Sequence, residues 1–389
     1  MFTALLLGAG ASRELGMPLR SDINADILAW LTPASLRKLN ATWRGRGYGH
    51  SDEVIEDTAR FLELPDFDYE ALLGHLEAQY LDDAREGFAQ SYHGLYAWLA
   101  QVVYLILYRR QVERRDSFRE GLQYFAGLVP LAENNRPLWI FSFNHDVLVE
   151  CIAALFGIPV NCGFSPRTIA LPCRNATGQP IAALTAQVLT DGELADGHLP
   201  FFPRGARGIN LLKVHGALDI FAFGDGRDLL KLKPDDETFD AIIDALQIAN
   251  EGLLDPGLVS SLVPDPVAVM NQIPYLDASD QPQVLRRTLL ASVARLTDPY
   301  PQLMQRRFLE YFRANLDHID RLVVIGHSLD DDDVREILGE WLDSSAQHQI
   351  EIVAPGIEKI PEFLLPFSAQ VALNAASATS FFEHDLTGY

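Results

Sequence analysis

Short, almost continuously apolar runs that stop abruptly at small or polar residues are the strongest constraint on what this chain can fold into. Phe2-Thr-Ala-Leu-Leu-Leu7 runs straight into Gly8-Ala-Gly-Ala-Ser12, and Leu138–Phe143 ends in Asn144-His-Asp146. Ile209–Val214 ends in His215-Gly216, Leu322–Ile325 in Gly326-His-Ser-Leu329, and Ile350–Val353 in Ala354-Pro-Gly356. A strand that is apolar at nearly every position, not at alternate ones, is covered on both faces, as in a parallel sheet flanked by helices. The expectation is an α/β fold with a Rossmann-like parallel sheet, a large helical insertion and a second mixed insertion. Ligands of open α/β sheets bind outside the carboxyl ends of the strands. One mouth should therefore collect Gly8–Ser12, Asn144–Asp146, His215, Gly326–Leu329 and Ala354.

The segments between these runs have their own patterns. From Ile23 to about Arg136 apolar residues recur at three- and four-residue spacing, most clearly in Tyr69–Tyr80 and Phe88–Arg115, which predicts helices. Residues 163–207 are rich in Pro, Gly and Thr and read as irregular. Residues 222–317 are mixed, with helices expected over Glu237–Asn250 and Gln302–Asp317. The chain reads as a single domain, 1–389, with a Rossmann-like core of 1–22, 136–162, 208–221 and 318–389. The helical insertion is 23–135, the irregular insertion 163–207 and the mixed insertion 222–317.

Composition narrows the function. The 389 residues carry 31 Lys and Arg against 53 Asp and Glu, a net charge of −22. That argues against direct, sequence-blind binding to nucleic acid or to anionic membranes. The three cysteines, Cys151, Cys162 and Cys173, include no Cys-x-x-Cys pair, so no four-thiolate zinc site is expected and no metal is assigned. The longest apolar stretch, Leu95–Tyr108, falls short of the roughly 20 residues a bilayer requires. A cytoplasmic protein with no membrane role fits these features.

Each strand end carries distinct chemistry. Gly8, Ala9 and Gly10 let backbone approach a pyrophosphate closely, and a following helix start would add N–H donors. A tight turn without a ligand is the plain alternative, since Arg13 stands where the dinucleotide fingerprint wants a third glycine. Gly16-Met-Pro18 would cover the ligand as a loop. Asn144 can orient a water or a sugar hydroxyl, and Asp146 can accept from an amide NH₂, although Asp146 reads equally well as a helix cap. His215 suits a general base. His145 and His327 lie in similar places beside residues with clearer roles. The acidic run Asp330–Asp333 reads as a solvated helix cap.

These motifs, in this order, resemble the sirtuin-like family of NAD-binding proteins. Gly8-Ala-Gly-Ala-Ser12 with Gly16-Met-Pro18 resembles the family's glycine loop, and Asn144-His-Asp146 its Asn-x-Asp motif. His215-Gly216 resembles its catalytic His-Gly, and Gly326-His-Ser-Leu329 its ribose-contacting turn. The match covers about 100 residues in four or five pieces. Two departures from the protein-deacetylase branch are the missing zinc cysteines and the long helical segment between the glycine loop and Asn144. A third is Leu19-Arg-Ser-Asp22 where that branch carries Asp-Phe-Arg. The two main departures resemble the bacterial anti-phage defence branch, whose members hydrolyse NAD and of which some work beside a HerA-type ATPase or an Argonaute-like partner.

The resemblance implies an NAD glycohydrolase that yields nicotinamide and ADP-ribose, with NAD as substrate. Asn144 and His215 would be catalytic, and Gly8, Ala9, Gly10, Ser12, Asp146, Gly326, Ser328 and Leu329 would bind NAD. A non-catalytic module sensing NAD or ADP-ribose is the alternative, and NAD-dependent protein deacylation a third reading. A homo-oligomer, with a HerA-type ATPase as partner, is the expected mode of control. The Leu95–Tyr108 stretch is either its self-association surface or core of the insertion.

Overall fold

A computed structural model describes residues 2–174, 179–223, 227–251, 272–277, 279, 281–288 and 299–388. The apolar runs form β1 (Thr3–Leu7), β2 (Leu138–Ser142), the two-residue β3 (Val160–Asn161) and, after two intervening strands, β6 (Ile209–Lys213). β4 (Thr168–Arg174) and β5 (Pro180–Leu189) lie between them, followed by β7 (Ile220–Phe223), β8 (Asp228–Leu232), β9 (Gln272–Leu276) and β10 (Pro282–Arg287). β11 (Arg321–Ile325), β12 (Gln349–Val353) and β13 (Val371–Asn374) close the chain.

Seven strands make one parallel sheet in the order β13-β12-β11-β1-β2-β6-β3. The chain leaves β1 on one side for β2 and returns to its other side as β11. The order therefore reverses at β1, the place where α/β sheets open a crevice. Side chains alternate between two cores. Leu5, Leu7, Ile140, Leu211, Val323 and Ile325 join the core that contains the helical insertion. Ala4, Leu6, Phe141, Leu212, Leu322 and Val324 join the opposite one, beneath the helices Pro299–Leu316 and Asp332–Ser344. Both faces being covered is the reason these strands lack polar alternation.

Residues 23–135 supply the helices Pro33–Gly45, Asp52–Leu62, Tyr69–Leu81, Ala89–Glu113, Arg115–Gly121 and Leu128–Asn134, after a first helix at Arg20–Leu28. Local sequence accounts for their starts. Ser51 accepts from the Val54 N–H at the head of Asp52–Leu62, whose Val54, Ile55, Thr58, Ala59 and Leu62 form one buried stripe. In the Leu95–Tyr108 stretch Leu95, Leu99 and Tyr104 are buried in the insertion's own core. Most of the stretch is core, while Trp98, Val102, Leu105 and Ile106 line an apolar groove shared with Trp30, Leu39 and Trp43. Among the described residues no helix is long and apolar enough to cross a membrane.

Residues 163–207 are not irregular. They hold β4 and β5, paired antiparallel from Thr168 with Gln187 to Arg174 with Pro180. Their prolines mislead because β4 is an edge strand, where a proline such as Pro172 is tolerated. β4 and β5 open a second, antiparallel sheet of six strands in the order β4-β5-β8-β7-β10-β9. The helices expected over Glu237–Asn250 and Gln302–Asp317 run from Phe239 to Glu251 and from Pro299 to Leu316.

Buried charges tie the two sheets together. Glu150, on the helix Leu148–Phe156, meets Lys231 of β8 at 2.9 Å and Lys213 of β6 at 3.5 Å, and Lys231 also pairs with Asp219. Burial alone would depress the Lys231 ammonium, but Asp219, Cys162 and Glu150 hold it well above the ordinary lysine range. Burial would likewise raise Glu150, and Lys213 and Lys231 reverse that. Removing one member of such a group strands its partners' charges. Lys231→Met is therefore expected to lower the unfolding free energy by about 3–5 kcal/mol, measured by urea unfolding. A loss below about 1 kcal/mol would show the network to be energetically neutral.

Candidate active site

The carboxyl ends of the parallel strands are bound to one another one residue beyond the sheet. The Gly8 N–H donates to the Ile325 carbonyl at 3.0 Å, Phe143 N to Leu7 O at 2.9 Å, Val214 N to Ser142 O at 3.0 Å and Gly326 N to Val353 O at 3.0 Å. This brings the glycine loop, the Asn144 turn, His215 and the Gly326 turn to one edge of the sheet.

The glycine loop is held by contact with its neighbour. The Gly10 N–H donates to the Gly326 carbonyl at 2.9 Å, and Ala11 N to Gly8 O at 2.8 Å. A Cβ on Gly8 would lie 2.5 Å from the His327 Cα, and one on Gly10 would lie 2.7 Å from the Gly326 Cα. Gly326 adopts φ +62°, and a Cβ there would come within 2.4 Å of the Ala11 nitrogen. These glycines are required by backbone packing between two loops, whatever else they contact. The loop does not open an α-helix but continues as two single turns of 3₁₀ helix, Ala9–Ala11 and Arg13–Leu15. Helix-dipole assistance is correspondingly absent at this point. Gly16-Met-Pro18 is not a cover either, because Met17 is only 2% exposed and sits in the core. Ala9 is exposed and Gly10 half-buried, so these two carry the loop's accessible surface.

Asp146 and Ser12 form a buried pair. The Ser12 hydroxyl donates to Asp146 Oδ2 at 2.6 Å, and Oδ1 accepts the Leu148 N–H at 3.0 Å, where the following helix begins. Lys213 donates its ammonium to the Asp146 carbonyl. Burial raises the Asp146 carboxyl, with Lys213 and the Ser12 and Leu148 bonds pulling the other way. Both carboxylate oxygens are thus engaged within the protein, and the pair fastens the glycine loop to the turn after β2.

Asn144 is different. It is 5% exposed, yet neither its Oδ1 nor its Nδ2 has a hydrogen-bond partner among the described residues. Buried amides are nearly always paired, and an orphaned one marks a place where a polar group belongs. Next to it the Phe143 ring lies edge-on between two imidazoles, 4.8 Å from His215 and 4.9 Å from His327. Gly216 takes φ +75° and leaves no room for a Cβ, which would lie 1.8 Å from the Thr288 carbonyl. The glycine after His215 is therefore dictated by the antiparallel sheet behind it.

His215 is buried, and its Nε2 lies 3.5 Å from Asp331 Oδ2. Asp331 caps the helix Asp332–Ser344 through its other oxygen, which accepts from Asp333 N at 3.0 Å and Val334 N at 3.3 Å. Burial would raise the Asp331 carboxyl, but His215 and the two cap bonds hold it below its ordinary value. His145 and His327 stay neutral: burial first, then the neighbouring His215, lowers them to about 3 and about 4. His327 Nδ1 accepts the Leu329 N–H at 3.0 Å, which fixes the turn. Leu329 itself has φ +59° and is packed into the core, whereas Ser328 is exposed.

Several residues of this site carry no motif. Asp331 is hidden in an acidic run whose capping role is real but incomplete. Phe143 looks like the last apolar residue of a strand. Lys213 does leave a trace, as the one cation of β6, and a buried strand lysine implies carboxylate partners.

No protein-family profile and no curated protein matches the chain by sequence. Matches by structure are found among solved proteins. A Sir2 homologue in complex with NAD is 13% identical, covers 100% of this chain and 88% of its own, and superposes with a TM-score of 0.41. A variant of a Sir2 homologue in complex with ADP-ribose is 12% identical over 99% of this chain and 90% of its own, with a TM-score of 0.41. A third structure, described as a basis for the mechanism and regulation of Sir2 enzymes, is 10% identical over 99% and 90%, with a TM-score of 0.38.

The loop contact generates a paired test. Gly326→Ala forces a left-handed residue and a clash, and should cost at least about 1–2 kcal/mol in urea unfolding. Gly339, in the helix Asp332–Ser344, has nothing within 4 Å of where a methyl would stand, so Gly339→Ala should gain about 0.5–1 kcal/mol. Equal effects at the two positions would contradict the packing described.

Proposed function

We propose that the chain is an NAD glycohydrolase, cleaving NAD to nicotinamide and ADP-ribose. The observation that carries the reading is the buried Asn144 amide with both ends unpaired, beside His215 at the carboxyl edge where the strand order reverses. The ordered set of strand-end motifs that resembles the sirtuin-like family supports the same substrate. In this reaction the bond between ribose C1 and the nicotinamide nitrogen breaks, and its electron pair leaves with nicotinamide. The water oxygen bonds to C1, and the water's proton passes to a base.

In this reading Asn144 orients the water and the ribose, and His215 takes the proton. The exposed Ala9, Gly10 and Ser328 border the nucleotide, with Gly8, Gly326 and Leu329 shaping the two turns. Ser12 and Asp146 contribute by holding the glycine loop, with Asp146 also the candidate for the nicotinamide carboxamide. The steps as written use side chains and water alone. The physiological role proposed is anti-phage defence by NAD depletion in the cytoplasm, with the chain as a homo-oligomer under control of a HerA-type ATPase. Light scattering of the isolated chain tests the assembly: a monomer that turns over NAD at full rate would defeat it.

General acid–base assistance is typically worth about 10²–10⁴-fold. His215→Ala and Asn144→Ala are each expected to reduce NAD turnover to background while the circular dichroism spectrum and unfolding midpoint stay near wild type. Chromatography of nicotinamide and ADP-ribose reads the result. Binding of NAD without product would favour the sensing module, and O-acyl-ADP-ribose formed only with an acylated peptide would favour deacylation. Full activity in both variants would overturn the residue assignment.

A further inference from the structure

We propose that Asp331 is a positioning residue for His215: its carboxylate accepts a hydrogen bond from the Nε2–H and so keeps Nδ1 as the basic nitrogen. The inference rests on the reading of His215 as the base. It deepens that reading by fixing which ring nitrogen accepts the proton and what steadies the imidazolium that results.

The geometry is specific. Asp331 Oδ2 is 3.5 Å from His215 Nε2, with the two side chains 9% and 8% exposed. At that separation Nε2 has no formed hydrogen bond. Catalytic hydrogen bonds are often long until the Michaelis complex tightens them. Asp331 cannot wander, because Oδ1 is held by the Asp333 and Val334 N–H groups at the head of a thirteen-residue helix. One oxygen is an anchor and the other faces the imidazole. The nearest rings offer no substitute. Phe143 is apolar, His327 already spends Nδ1 on Leu329 N, and His145 is buried and neutral. The other acids of the run have different duties. Asp330 and Asp332 pair with Arg335, and Asp333 lies within the first turn of the helix. When His215 takes the water's proton at Nδ1, both ring nitrogens are protonated and the positive charge lies against the Asp331 carboxylate. No other proton moves.

An amide at 331 makes the test sharp. Asn is as good a helix cap as Asp. Its single oxygen would stay in the cap, leaving its NH₂ to donate to Nε2, which inverts the tautomer. The experiment is ¹⁵N NMR of histidine-labelled full-length protein without NAD, at a pH where the ring is neutral, with the His215 signals assigned by their loss in His215→Gln. Wild type should show the proton on Nε2, and Asp331→Asn should move it to Nδ1. In parallel, kcat for NAD should fall by about 10²-fold or more in Asp331→Asn, with the unfolding midpoint unchanged. Asp331→Ser keeps only the cap and should lose activity without the inverted tautomer. A wild-type ring protonated on Nδ1, or one unaffected by Asp331→Asn, overturns the proposal. So does wild-type turnover that Asp331→Asn leaves intact. A wild-type protein inert toward NAD defeats the hydrolase reading instead, while the ring tautomers still decide the role of Asp331.

Discussion

The site depends on two loops being allowed to touch. β1 and β11 are neighbours in the sheet, and their carboxyl-end loops meet backbone to backbone, with the Gly10 N–H on the Gly326 carbonyl and no space for a Cβ at Gly8, Gly10 or Gly326. A side chain at any of the three would wedge the loops apart. The turn after Gly326 carries His327, Leu329 and then the Asp331 cap, so its approach to β1 also sets how near Asp331 comes to His215. Ser12, at the far end of the glycine loop, is fixed by Asp146 from the next strand. Three strand ends are thereby locked in register by one contact and one buried hydrogen bond.

A second layer of constraint comes from charge. Lys213 donates to the Asp146 carbonyl and faces Glu150, which shares Lys231 with Asp219. Buried ions tolerate displacement poorly because each move uncovers an unpaired charge. The Asn144-His-Asp146 turn is consequently tied to the antiparallel sheet that also presses the Thr288 carbonyl against Gly216. The second sheet acts as the backing plate of the turn on either side of His215.

Much of this was legible in the sequence, and unevenly so. The five apolar runs gave away the parallel sheet because strands covered on both faces leave a continuous signal, and their polar ends gave away the mouth. Position along a strand was readable; partnership was not. The glycines of Gly8-Ala-Gly10 were visible, but their cause, a neighbouring loop from near the other end of the chain, was not. Asp331 could be read as a cap from local sequence, whereas its second oxygen faces a residue that only the fold brings near. β4 and β5 escaped notice because proline is permitted at a sheet edge, and β13, Val-Ala-Leu-Asn374, is too short and too exposed to carry a pattern.

The electrostatics of the mouth bear on the proposed hydrolysis. A glycosidic bond that breaks with loss of nicotinamide leaves positive charge on the ribose, and catalysis requires groups placed where that charge develops. Two imidazoles against Phe143, with His145 in the same turn, would be a poor environment for a cation if all were protonated. Burial prevents this by lowering His145 to about 3 and His327 to about 4, so both are neutral near pH 7. The Asp331 carboxylate beside His215 is then a standing charge at this edge, and its sign favours an oxocarbenium-like ribose. The lysine nearest the turn is unavailable to oppose it, because Lys213 is already committed to the Asp146 carbonyl and Glu150. An overall charge of −22 thus coexists with a site where burial keeps His145 and His327 neutral and the Asp331 carboxylate stands beside His215.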